Sequence, residues 1–564
     1  MMIGMHISRI ALLTSLVVSF NAFASGSPDW SPSATVPAGG RANIYQWNAS
    51  ELASTNREGR LHAQIYPVTV TGILPPYEPF KRVAEADPSN PAKEFLNSIF
   101  RRAAGIENFD QILEYVGLHP YPQPEDRGVY QVPYPDGARP DTRVGFGTME
   151  RNGAVGFTFS CAACHSGNLF GKTVLGLSNR FPRANDFFVD MKSQLKLVSA
   201  PMFQLWTGAT HAEAQLFSEA KKSLNRVTAK RPVVLGLDTS LAQVGLSLNR
   251  RAQDEWASPS RFYEQFPRGD QYLDDKPADS KPAVWWNLKY KNRWLSDGSV
   301  VSGNPIFTNF IWNEIGRGAD VKELAQWLDA NPKIVEELTT AVFASEAPLF
   351  TDFFPASQID LERAKRGEKT FNTTCARCHG HYDKAWNTAG ADLLSEVDKL
   401  KTTLVRPPEK TLVVDVGTDS FRRRGMKSLE RLNDLAISKA NGVVIQEQTG
   451  YVPPPLVGIW ARWPYFHNNS VPSLCAVLTP ASKRPRVYYA GEANDRERDF
   501  DSECNGYPLG NETPEDWKKD QFRYDTKLRG LSNAGHDEGI FLKDGEEILS
   551  AEDKRDLIQY LQTL

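Results

Sequence analysis

The spacing of apolar positions changes several times along the chain, and each change marks an element. Helical spacing, with apolar residues three and four apart, runs through 185–205 and again through 211–230. Asp320 and Glu323 form a D-x-x-E start that opens a helix over Val321–Ala330. Asn331-Pro332 breaks it, and 333–344 resumes the pattern. Further helices are predicted over 359–374, over 391–401 and over 550–564, the last capped by Ser550 and Asp553. The stretch 25–150 differs: it is rich in Pro, Gly and Tyr and weak in period. It reads as long loops wrapping a core, with short helices such as Pro91–Ala104. Alternating strand patterns are few. The fold class expected is therefore mainly α, with extensive irregular loop.

The N-terminus speaks to compartment. Arg9 precedes an apolar run from Ile10 to Phe20, and Ala22-Phe23-Ala24 forms an A-x-A cleavage site. Residues 1–24 read as a secretory signal, which places the mature protein in the periplasm or outside the cell. The run is too short to cross a bilayer, and no later segment is long and apolar enough, so no membrane span is expected after cleavage. The chain has 564 residues, 41% of them hydrophobic, and a formal net charge of −3. Large cores are available, and there is no electrostatic case for nucleic acid.

The candidate chemistry lies in a pattern that occurs twice. Residues 161–165 read CAACH and residues 375–379 read CARCH. Each is a C-x-x-C-H haem c attachment motif. Two thiols add to the vinyl groups on one porphyrin edge, and the histidine that follows ligates the iron. With 6 Cys and 9 His in the chain, a chance match is expected on the order of once in a thousand such sequences. Two covalent haem c groups are thus expected, on Cys161, Cys164 and His165 and on Cys375, Cys378 and His379. The motifs lie 214 residues apart, too far for one small cytochrome domain. Two cytochrome c-type haem domains are expected, 25–350 with a loop-rich extension and 359–564, divided in the Pro-containing stretch 349–359. The two remaining cysteines, Cys475 and Cys504, lie in a Pro/Gly/Asn-rich stretch. In an oxidising compartment they read as a disulfide.

Function turns on the far face of each haem, because two strong protein ligands make a shuttle and an open face permits chemistry. Downstream of His379 the strong ligands are Met426, His467 and His536, and His381 is too close to reach round the ring. His536 sits in NAGHDEG just before the last helix and leads the three; Met426 and His467 stay open as alternatives. No histidine follows His165 until His211, and the nearest methionine is Met191. An open or weakly occupied face is inferred there, with His62 and His119 able to fold back. Trp285, Trp286 and Trp294 cluster in WWNLKYKNRW. They read as packing, or as a bridge or pocket wall between two haems.

PPPLVGIWARWPYFHNNSVPSL at 453–474, together with the doubled motif, resembles the dihaem cytochrome c peroxidase superfamily. TNFIWNEIGRGAD at 308–320 and the ending NAGHDEG…LSAEDKRDLIQYLQTL resemble its dihaem rubber-oxygenase branch most. The likeness covers about residues 140–564. It implies His165 as proximal ligand of an active haem, and His379 and His536 as axial ligands of an electron-transfer haem. It implies a tryptophan beside the active haem, which Trp285 or Trp286 matches. The branch's phenylalanine has no match in SDGSVVSG, where Val300 and Val301 stand. The displaceable histidine that the peroxide reductases carry after the first motif is also missing. Some relatives carry a bridging calcium.

The leading expectation is an exported dihaem oxidoreductase, peroxidase-like or rubber-oxygenase-like, acting on peroxide, dioxygen or a hydrophobic organic substrate. A small redox protein or quinone-linked partner would exchange electrons with it. The alternative is a dihaem electron carrier without catalysis.

Overall fold

The computed structural model describes residues 27–66, 72–86, 89–126, 132–195, 197–237, 243, 244, 247 and 280–564. The expected signal at 1–24 lies outside the described residues. The architecture is mainly helical, and the strands form two-stranded antiparallel pairs.

Two helix crossings organise the molecule. The helix Leu361–Thr374 runs straight into the second haem motif and packs on the terminal helix Ala551–Gln562. Gly367 sits at the crossing, where a Cβ would meet the Asp556 carbonyl oxygen at 2.1 Å. Only glycine allows the backbones so close. Arg363 and Arg366 then donate to the buried Asp556 carboxylate at 2.9 and 2.7 Å. The terminal helix starts where expected, with Ser550 and Asp553 forming a reciprocal capping box. In the other half, Ala49–His62 crosses Pro332–Phe343. Gly59 makes the close approach there, with a Cβ position 1.9 Å from the Glu337 carbonyl oxygen.

Three sequence expectations need correction. The stretch 25–150 holds more regular structure than its composition suggests: Ala49–His62, Tyr77–Ala84, Pro91–Ala104 and Phe109–Tyr115 are helices, and a hairpin joins Phe146–Arg151 to Ala154–Phe159. The pattern at 185–205 is two helices, Ala184–Leu195 and Ala200–Thr207, the second capped by Ser199. The stretch 391–401 holds only single turns, Ala391–Leu393 and Glu396–Lys399, because Ser395 caps a new start inside it.

The stretch 349–359, where the sequence places the domain boundary, alternates exposed and buried residues. Phe350, Phe353 and Phe354 are buried in a cluster that reaches from Leu169 and Trp286 to Tyr560 and Leu564. Core packing is therefore continuous across the expected boundary. Cys475 and Cys504 are bonded as a disulfide, with Cα atoms 4.9 Å apart. No helix among the described residues is long and apolar enough to cross a membrane.

Candidate haem sites

Each motif occupies a single helical turn, Cys161–Cys164 and Ala376–His379. The first follows the Ala154–Phe159 strand and is pinned by Asn179, whose amide donates to the carbonyls of Gly117 and Ala163, both at 2.7 Å. The second is the continuation of Leu361–Thr374. Both sets of cysteines and histidines line one cavity of about 820 Å³. His165 and His379 are anchored in the same way. The Nδ1 of His165 lies 2.8 Å from the Ala283 carbonyl oxygen, and that of His379 lies 2.8 Å from the Pro454 carbonyl oxygen. A carbonyl accepts only from N–H, so each ring holds its proton on Nδ1 and keeps Nε2 bare, the form that ligates a metal.

His536 faces His379 with ring centroids 6.3 Å apart. Two imidazoles holding one iron at about 2 Å on each side separate their centroids by roughly 6 Å. The spacing thus fits a six-coordinate iron. His536 has φ 58° and follows Gly535 at φ 76°. Its backbone N–H donates to the Val416 carbonyl at 2.8 Å. Buried Arg484 clamps the loop, donating to the carbonyls of Asn533 and Gly535 on one side and of Ala476 and Thr479 on the other. Burial pushes the His536 pKa down to about 3, helped by His379 and Arg484, and burial pushes that of His165 down to about 4. Both rings are neutral at pH 7 and ready as ligands. Burial also pushes the Cys161 and Cys375 thiols up to about 12. Each site accommodates uncharged sulfur, which a thioether supplies. The neutral histidines, the buried uncharged sulfurs and the facing ring pair fit haem c.

The alternatives to His536 are placed elsewhere. Met426 is buried among Leu429, Leu432 and Leu435, and is not in the cavity wall. His467 is in the wall, but its ring stacks on Tyr451 at 3.9 Å and 16°. Among the described residues, His165, His379, His467 and His536 are the histidines in the wall, and no methionine is there. His62 pairs with Glu337 at 2.9 Å, and Met191 packs with Phe188 and Leu224. His119 is buried away from the wall, and His211 begins the helix His211–Leu224. Beyond residue 26, the segments outside the described residues contain neither His nor Met.

Of the two tryptophans, Trp285 is the one at the site. Its ring centroid lies 5.9 Å from that of His165, and it lines the cavity with Trp294. Trp286 points into the core and donates to the Val457 carbonyl at 2.9 Å. Val300 and Val301 are buried outside the wall; the phenylalanines that line it beside the first motif are Phe159, Phe188 and Phe310. Sequence reasoning missed these, along with the carbonyls of Ala283 and Pro454. Among the described residues, no three His, Cys, Asp or Glu side chains converge as a metal site.

The cysteines and histidines of both C-x-x-C-H motifs, together with His536, are thus gathered in one cavity. Residues 450–489 match the RoxA-like, cytochrome c-like family. The chain is 37% identical over 485 residues to a protein of Sinorhizobium fredii described as uncharacterized protein y4iJ, covering 73% of this chain and 77% of the relative. A second protein of that organism, uncharacterized protein y4iM, is 25% identical over 303 residues, covering 50% of this chain and 63% of its own length. The chain belongs to the family of the y4iJ protein, and its 450–489 segment is of the RoxA-like cytochrome c type. That domain implies covalently bound haem c and points to a haem-containing oxidoreductase.

Proposed function

We propose that the chain is an exported dihaem oxidoreductase of the rubber-oxygenase kind, acting on an apolar organic substrate with dioxygen. Cys161, Cys164 and His165 hold one haem c; Cys375, Cys378, His379 and His536 hold the other. Haem c would supply redox iron, with His379 and His536 as the residues that would hold it at the second site and His165 at the first. The observation that carries the reading is the difference between the two ring pairs: His379 is faced by the His536 ring, whereas the ring packed beside His165 is that of Trp285.

The wall beside the first motif supports an oxygenase over a peroxidase. Phe159, Phe188, Ile306, Phe310, Leu338 and Val342 contribute apolar surface to it, beside the uncharged amides of Asn185, Gln243, Asn309 and Asn313 and the guanidinium of Arg317. A peroxidase needs an acid–base group over the iron to cleave the O–O bond. The carboxylates in the described wall, Asp415 and Glu538, flank the loop of His536 instead. Asp415 pairs with Arg423, and Glu538 accepts the backbone N–H groups of Asp544 and Gly545. Trp285 packs against His165 and orients it together with Ala283.

The test offers the purified holoprotein two reactions. Oxygen uptake with an unsaturated apolar compound, exceeding peroxide reduction with a reduced electron donor, supports the reading. Rapid peroxide reduction without oxygen uptake assigns the chain to the peroxidases instead.

A further inference from the structure

Three cations stand at the junction between the two motifs, and none of them makes an ion pair among the described residues. Lys281 and Lys291 flank the Ala283 anchor of His165 in sequence, and Arg462 follows the Pro454 anchor of His379. All three line the cavity. They lie deep in the protein, yet each keeps part of its surface bare, because it faces the cavity and not packed atoms. Lys281 donates to the carbonyls of Pro464 at 2.6 Å and Arg462 at 3.1 Å, and Arg462 donates to that of Pro455 at 2.8 Å. These bonds solvate the charges in part but do not neutralise them. Arg462 sits close enough to both lysines to add to the effect of burial. Burial first, then Arg462, pushes Lys291 down to about 7 and Lys281 well below the usual lysine range.

Such a cluster is costly. A buried cation without a counter-charge loses its hydration with little in return. The carboxylates among the described residues of the wall, Asp415 and Glu538, are both engaged elsewhere. An anion entering the cavity at the junction would meet all three side chains and restore the lysines' charge.

We infer that Lys281, Lys291 and Arg462 form a carboxylate seat shared by the two haem pockets, and that haem propionates occupy it. This rests on the dihaem reading above. Each haem anchored at one edge by thioethers carries two propionates on another edge. The junction adjoins both proximal anchors, so one cluster of charge serves both haems. Cations held beside a haem favour the reduced iron, because reduction removes one unit of positive charge. The seat therefore raises the reduction potentials of both haems.

The experiment is a redox titration of purified holoprotein, followed in the visible spectrum, after mass spectrometry has counted the haems. Fewer than two haems would refute the dihaem reading on which the inference rests. With two haems present, Lys291→Met and Arg462→Met are expected to lower the reduced-to-oxidised ratio at fixed potential by at least about threefold at both haems. Lys291→Arg keeps the charge and is expected to stay close to the unaltered protein, which separates lost charge from lost fold. Unchanged titrations in both Met variants overturn the inference. So does a saturable response of the unaltered protein to added succinate that the Met variants lose, because the seat then takes a soluble acid and not a propionate.

Discussion

His379 and His536 present their rings to each other across the cavity, 157 residues apart in sequence and 6.3 Å apart at their centroids. One histidine comes with the haem motif. The other comes from a glycine-hinged loop that Arg484 ties to the segment after the disulfide cysteine Cys475. On that pairing rests the proposal of a ligand-closed second site; the ring packed beside His165 is that of Trp285.

Replacing His536 by Ala is expected to turn one of two haems from low-spin to high-spin. Replacing His467 by Ala is expected to leave that signal intact, since it is the His536 ring that faces His379 while the His467 ring stacks on Tyr451. Electron paramagnetic resonance of the oxidised protein reads both. The reverse pattern would transfer the ligand role to His467.

His467 also makes a statement about pH. Burial, with Arg422 and Lys281 nearby, pushes its pKa down to about 3, against about 6.5 in an unfolded chain. Between those values the unfolded state binds a proton that the folded state does not. Stability from this group is thus present above pH 6.5 and falls as pH drops towards 3, by roughly 1.4 kcal/mol per pH unit. In denaturant unfolding at pH 6 and pH 5, His467→Gln should show a shallower loss than the unaltered protein. An equal loss in both would remove His467 from the acid response.

The disulfide closes a loop with a sequence separation of 29. In the loop-entropy description that constraint contributes about 3.5 kcal/mol. The Cys475→Ser, Cys504→Ser double variant should lower the thermal midpoint while retaining both haems. An unchanged midpoint would show that the native packing at Leu474 and Arg484 suffices without it.

Gly367→Val tests the helix crossing. The added carbon falls 2.1 Å from the Asp556 carbonyl oxygen, and backbone cannot yield as a side chain can. A loss of about 3 kcal/mol or more is expected from overpacking of this kind, measured by thermal unfolding. Tolerance of valine would mean that the helices do not cross there.

Much of this was legible in the chain itself. The residues of each C-x-x-C-H motif are contiguous, and haem attachment would demand that spacing, so pattern alone marks them as candidates. The caps at Asp320 and Ser550 are local, and they mark their helices within a residue. The Phe146–Phe159 hairpin was missed although Asn152-Gly153 is a strong turn signal; both residues adopt positive φ, as a two-residue hairpin requires. Trp285 and Trp286 could not be told apart, because neighbours on a single turn face different ways and only tertiary packing decides which meets His165. Lys281, Lys291 and Arg462 carried no signal, since nothing local brings positions more than 170 apart to one junction.

The central claim is one closed and one open haem. Reduced holoprotein exposed to carbon monoxide tests it most directly, because only an iron with a free position binds the gas. The expected spectrum shows carbon monoxide bound at half of the haem, with the other half unchanged in the unaltered protein and also reactive in His536→Ala. No change on adding the gas would contradict the account and make the chain an electron carrier, and binding at both haems in the unaltered protein would remove His536 as a ligand.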